Sequence, residues 1–160
     1  MTKWLLSAAL ILSAFPSSGM AQTKESLVGT WKLVSFTTVN GKGQVEDGYG
    51  PNPIGFLTYT ADGRVSVVIS DSRRKPLSGP DVTTFTAYAG SYAFTGDKVT
   101  HHIEVSSLQI LVNTDQVRSV NIQGDRLTLR GGMLANGVML GANNELVWER
   151  LKPNTADMKK

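Results

Sequence analysis

Cysteine is absent from this 160-residue chain. That excludes disulfides, thiolate metal sites, a cysteine nucleophile and a lipid-modified N-terminal Cys. The Gly-x-Ser-x-Gly nucleophile elbow is also missing, and Ser106-Ser107 has no assignable base. No glycine pattern for cradling phosphate or a dinucleotide occurs, since Gly131-Gly132 and Gly137 sit in β-turn contexts. Charge of one sign does not accumulate: 16 basic residues face 13 acidic ones, for a formal net charge of +3. The only basic run, Arg73-Arg74-Lys75 beside Pro76, reads as a solvated loop, so no nucleic-acid partner is expected. Histidine is scarce, and the two present, His101 and His102, are neighbours. On a strand they face opposite sides and cannot share an ion, so neither a metal nor any other cofactor is expected.

A long apolar run occurs only at the N-terminus, where Lys3 precedes Trp4 to Phe15 and Gly19-Met20-Ala21 supplies small residues. The run is short of the roughly 20 residues that span a bilayer and has the parts of a secretory signal. Residues 1–21 are therefore expected to be cleaved, leaving a periplasmic or secreted protein from Gln22 with no stable membrane anchor. Without Lys3 the balance is 15 basic residues to 13 acidic, or +2. What remains suits one domain, residues 22–151, with a core able to hold without disulfides, followed by a polar tail over 152–160 read as disordered.

The rest of the chain is β-rich. Leu27 to Val39, Ile54 to Thr60, Arg64 to Ser70, Gly90 to Thr95, Lys98 to Ser107, Gln116 to Ile122, Arg126 to Gly131 and Asn144 to Leu151 read as strands; Met133 to Leu140 is weaker, interrupted by Asn136-Gly137. Asn40-Gly41, Asp62-Gly63, Gly96-Asp97 and Gly124-Asp125 are turn signals between them. Val45 to Pro53 and Asp71 to Asp81 read as loops, and Val82 to Tyr88 as a short helix with Asp81 as N-cap. With no βαβ alternation, the expected fold is all-β: a single antiparallel up-and-down barrel of eight to ten strands with at most one short helix. Closure removes the edges that an exported sheet must otherwise protect.

The stretch from Lys98 to Gly131 carries the candidate chemistry. Period 2 puts His102, Glu104 and Ser106 on one face of a strand, and Val99, His101, Ile103 and Val105 on the other. A hairpin pairing Glu104 with Arg118 would set Ser106 opposite Gln116 and gather His102, Glu104, Ser106, Gln116 and Arg118 into one polar wall. An apolar lining is expected from Phe36, Phe56, Tyr59, Val67, Ile69, Tyr88 and Tyr92. The aliphatic loop Leu108 to Val112 reads as a portal, a lid or a homodimer contact.

Several stretches, in this order, resemble the bacterial and fungal lipocalin-like domain family. They are Gly29-Thr30-Trp31, Gly55 to Arg64, Ala87 to Tyr92, His101 to Ser107, Gln116-Val117-Arg118 and Trp148-Glu149-Arg150. The resemblance covers Leu27 to Leu151 and implies a calycin-type barrel with an internal cavity. It also implies that Trp31 plugs the closed end with Arg150 over its ring, a structural pair. The loop Leu108 to Val112 departs from the pattern, which has an aromatic and often a proline there. The expected function is binding of a small hydrophobic or amphipathic molecule with a polar or anionic head. Two alternatives are an isomerase, cyclase or hydrolase using His102, Glu104 and Arg118, and a protein-interaction barrel without a cavity.

Overall fold

A computed structural model describes residues 22–73, 85–135 and 138–152, with side chains omitted over 138–142. Residues 1–21, the expected N-cap Asp81 and the tail beyond Lys152 lie outside the described residues. The elements are α1 (Lys24–Leu27), β1 (Gly29–Val39), β2 (Val45–Asp47), β3 (Ile54–Tyr59), β4 (Arg64–Ser70), β5 (Phe85–Phe94), β6 (Lys98–Ser106), a 3-10 turn (Gln109–Leu111), β7 (Asp115–Gln123), β8 (Arg126–Ala135) and β9 (Val138–Arg150). Every sheet neighbour is antiparallel, and β1 also pairs with β9. Eight strands, β1 and β3 to β9, thereby close a barrel, and β2 adds a short flap to β1. No described helix is long and apolar enough to cross a membrane.

Three sequence expectations change. The segment read as a helix over Val82 to Tyr88 is strand from Phe85 onward, because Phe85 to Ser91 pairs residue by residue with β4. The short helix stands instead at Lys24–Leu27. The loop read from Val45 contains β2, which the Asn40 turn folds back on Thr37 to Val39. The segments Arg126 to Gly131, Met133 to Leu140 and Asn144 to Leu151 are two long strands, β8 and β9, paired along most of their length.

One end of the barrel is sealed by packing. Arg150 stacks on Trp31 with its guanidinium carbon 4.0 Å from the ring centroid. The Trp31 indole N–H donates to Leu27 O at 2.9 Å, and Arg150 donates to Val28 O and Ser26 O at 2.7 and 2.6 Å. The expected Trp–Arg plug is therefore present, and it also holds the carbonyls at the end of α1. Gln22 latches the chain start to the same end, donating to Gly96 O and Val120 O and accepting from Ile122 N–H.

Alternation along the strands fills the interior. Leu57 and Tyr59 on β3, Val65, Val67 and Ile69 on β4, and Leu127 and Leu129 on β8 are buried, with exposed or half-exposed residues between them. Two bulges change the parity. On β1 the register slips between Leu33 and Ser35, so Trp31 and Leu33 face inward before Val34, and Phe36 after it. On β6 the register slips at Glu104, because Gly90 opposes Ile103 while Ala89 opposes Val105. Gly90 makes this possible, since a Cβ there would overlap the His102 carbonyl oxygen and press on Glu104 N at 3.0 Å.

Candidate functional site

Inside the barrel, toward the end opposite Trp31, lies a cavity of about 30 Å³. That is room for about two waters. Its walls are Leu57, Val67, Ile69, Leu129 and Leu146 together with Phe36, Tyr49, Tyr88, Met133 and Trp148. The polar side chains reaching it are Thr86, His101, Arg118 and Asn144, along with the Tyr49 and Tyr88 hydroxyls. Phe36 and Tyr49 meet edge to face at 5.0 Å, and the Tyr49 hydroxyl bonds the Thr86 hydroxyl.

The polar centre is a row of three rings. His101 is 1% exposed; its Nε2 lies 2.7 Å from the Tyr59 hydroxyl and its Nδ1 lies 2.9 Å from that of Tyr88. Burial first, and then the Arg118 charge, hold His101 down at about 3, so it is a neutral imidazole at ordinary pH. Burial raises both tyrosines, Tyr88 to about 12. Arg118 is 6% exposed and donates through Nη1 to Val117 O at 3.0 Å and to Gly132 O at 2.5 Å. Among the described residues it has no carboxylate partner. Gly131, at φ +153, leaves the space its side chain crosses, because a Cβ there would stand 3.2 Å from Arg118 Cδ. The Trp148 indole N–H is buried and meets no acceptor among the described residues.

The expected polar wall is divided by the sheet. Arg118 pairs with Val99, not Glu104, and His102 pairs with Asp115. The reason is the connection from Ile103 to Thr114 through the 3-10 turn, whose closing backbone bonds set β6 against β7 in this register. His102 and Glu104 face outward, with His102 Nδ1 2.8 Å from Asp115 and Glu104 in a two-bond ion pair with Arg64 at 2.7 and 2.8 Å. A catalytic wall of His102, Glu104 and Arg118 is therefore not assembled: the first two are on the outer surface and the third is inside.

The other residues divide similarly. Phe36, Tyr88, Val67 and Ile69 line the cavity, and Tyr59 stands behind His101. Phe56 is on the outer face, 46% exposed, because its β3 neighbours Gly55 and Leu57 take the inward positions. Tyr92 packs on Tyr59 at 4.8 Å and donates to Thr60 O, which places it at the sealed end. Ser106 bonds Ala87 O and Leu108 N–H in the hairpin. Gln116 is buried but acts as backbone, exchanging two hydrogen bonds with the Leu134 peptide at 2.5 and 3.0 Å. In the aliphatic loop Leu111 is fully buried beside Ile103 and Ala135, while Leu108 and Ile110 are partly exposed.

Sequence reasoning missed His101, Tyr49, Asn144 and Trp148. For His101 a signal was present: Val99 and Ile103, two residues to either side, mark its face as the apolar one. Tyr49 comes from a connecting segment, and no strand periodicity could assign it.

A closed eight-stranded antiparallel barrel with a mostly apolar interior and a few convergent polar groups is a ligand-binding barrel in the general sense. The chain belongs to the lipocalin-like domain family, whose model matches residues 28–151. No curated protein matches it. Among solved structures, that of an uncharacterized protein from Bacteroides eggerthii DSM 20697 is similar at 13% identity, covering 78% of this chain and 99% of the other with a TM-score of 0.42.

Proposed function

We propose that this is an exported barrel that binds a small, largely apolar molecule by its polar or anionic head, with Arg118 at the point of attachment. The observation that carries the reading is a guanidinium buried at the cavity wall with two backbone carbonyls and, among the described residues, no carboxylate for company. An uncompensated buried charge costs several kcal/mol, and a protein that keeps one at a cavity has a use for it. The aliphatic lining supplies the surface for an apolar body. With about 30 Å³ of space, the head fits between the walls and the body requires Phe36 and Tyr49 to swing aside. Export rests on the N-terminal signal pattern of residues 1–21.

Native mass spectrometry of protein recovered from the periplasm or medium without detergent tests both parts. The expected spectrum shows a chain starting near Gln22 and a reproducible added mass that is lost on denaturation. Retention of residues 1–21 contradicts export. A bare mass, with no thermal stabilisation by alkyl or aromatic ligands, charged or neutral, contradicts binding and leaves the outer surface as the working face.

A further inference from the structure

We infer that the head group is a carboxylate, selected because the cavity wall is built to donate hydrogen bonds, with the Tyr88 hydroxyl turned into a donor by the Tyr59–His101 pair behind it. This rests on the binding reading above and names its ligand class.

The direction of the donors follows from counting protons. The Tyr59 hydroxyl is buried, does not reach the cavity, and meets one acceptor, His101 Nε2 at 2.7 Å. A buried O–H without an acceptor costs about the full desolvation of the group, so Tyr59 donates and Nε2 is the bare nitrogen. A neutral imidazole then carries its proton on Nδ1, a tautomer assigned from this network. Nδ1–H donates to the Tyr88 oxygen at 2.9 Å. The Tyr88 proton has no acceptor among the described residues, and Tyr88 lines the cavity.

Two further donors stand on the same cavity. Arg118 spends Nη1 on Val117 O and Gly132 O, which leaves Nε and Nη2 without an acceptor among the described residues. Trp148, 1% exposed, keeps its indole N–H unmatched. Tyr88, Arg118 and Trp148 all line this space of about 30 Å³, and among the described residues each keeps an unmatched donor, that of Arg118 being charged. Among the described residues no carboxylate reaches the space, and its side-chain acceptors are the Asn144 amide oxygen and the hydroxyl oxygens of Tyr49, Thr86 and Tyr88. A carboxylate offers two oxygens, about four lone-pair sites and a negative charge, in about the volume of two waters. A primary amide or an alcohol would leave Arg118 without a counter-charge.

Calorimetric titration with two matched sets tests this. One set is 3-phenylpropanoate, its amide and its alcohol; the other is octanoate, octanamide and octanol, so that aromatic and alkyl bodies are separated. The carboxylates are expected to bind about thirtyfold more tightly than their neutral partners, the loss of a charge-assisted hydrogen bond. Tyr88→Phe should weaken carboxylate binding about tenfold and the neutral partners by clearly less, since a hydrogen bond to a charged oxygen is the stronger. Arg118→Met should remove the preference, with circular dichroism verifying its fold. Equal binding of acid and amide overturns the inference and leaves an apolar binder standing. Failure of all six to bind overturns both readings. Imidazole ¹⁵N shifts give an independent check: His101 protonated on Nδ1 supports the relay, and protonation on Nε2 overturns it.

Discussion

Arg118 costs the folded barrel stability. Its charge is desolvated and compensated only by peptide carbonyls. Removing an uncompensated buried charge relieves a desolvation penalty of several kcal/mol, against which stand the two hydrogen bonds to Val117 O and Gly132 O. Arg118→Met is therefore expected to raise the chemical-denaturation midpoint while abolishing capture of acidic ligands. A large fall in stability instead would assign Arg118 to the scaffold. His101 makes a second prediction at this scale. Its folded value of about 3 lies below the ordinary 6.5. Between the two, the unfolded chain binds a proton that the folded chain refuses, so stability is lost as pH falls through this window. The slope from this group approaches about 1 kcal/mol per pH unit. Carboxylates held low by their partners, such as Asp71 and Glu104, act in the same direction below about 4.5. The interval from 6.5 to 4.5 lies above those carboxylates, and His101→Gln should flatten thermal stability against pH across it, whereas His102→Gln should not.

At the scale of elements, the bulges decide which side chains meet. Gly90 lets β6 bulge at Glu104, and any Cβ there meets the backbone of His102 and Glu104. Gly90→Ala should cost about 2–4 kcal/mol in urea unfolding, since backbone on both strands must move. An effect below about 0.5 kcal/mol would show that β5 and β6 can realign. The loop after β6 makes a paired prediction. Leu111 is core and Ile110 is half exposed. Leu111→Ala should cost about 2–4 kcal/mol, whereas Ile110→Ser should stay within about 0.5. A loop acting only as a mobile lid would give small values for both.

Across the whole molecule, the architecture was legible because it depends on short-range signals. Alternation in Arg64 to Ser70, the Asp62-Gly63 turn and the absence of helical periods required nothing beyond neighbouring residues. The site was legible only in part, because it depends on register. Period 2 correctly separated His101 from His102, yet polarity suggested that the His102 face lined the interior. The opposite holds because His101 satisfies both ring nitrogens on tyrosines, which makes its burial tolerable. Likewise Glu104 and Arg118 invite pairing by charge, but β7 sets Arg118 opposite the inward Val99, while Glu104 stays outward in step with His102. Phe36 was placed inward correctly, although the bulge at Val34 that turns it there leaves no mark in the sequence.

The account's central claim is that a ligand head sits against Arg118, Tyr88 and Trp148. A chain starting at Gln22 carries two indoles, Trp31 and Trp148, and among the described residues only the first has an acceptor, Leu27 O at 2.9 Å. The measurement to make is an indole ¹H–¹⁵N correlation spectrum during titration with octanoate. The Trp148 N–H signal should move downfield, as a hydrogen bond forms, while the Trp31 signal stays in place. Saturable binding that leaves Trp148 unmoved, or shifts Trp31 instead, would put the ligand elsewhere and contradict the account.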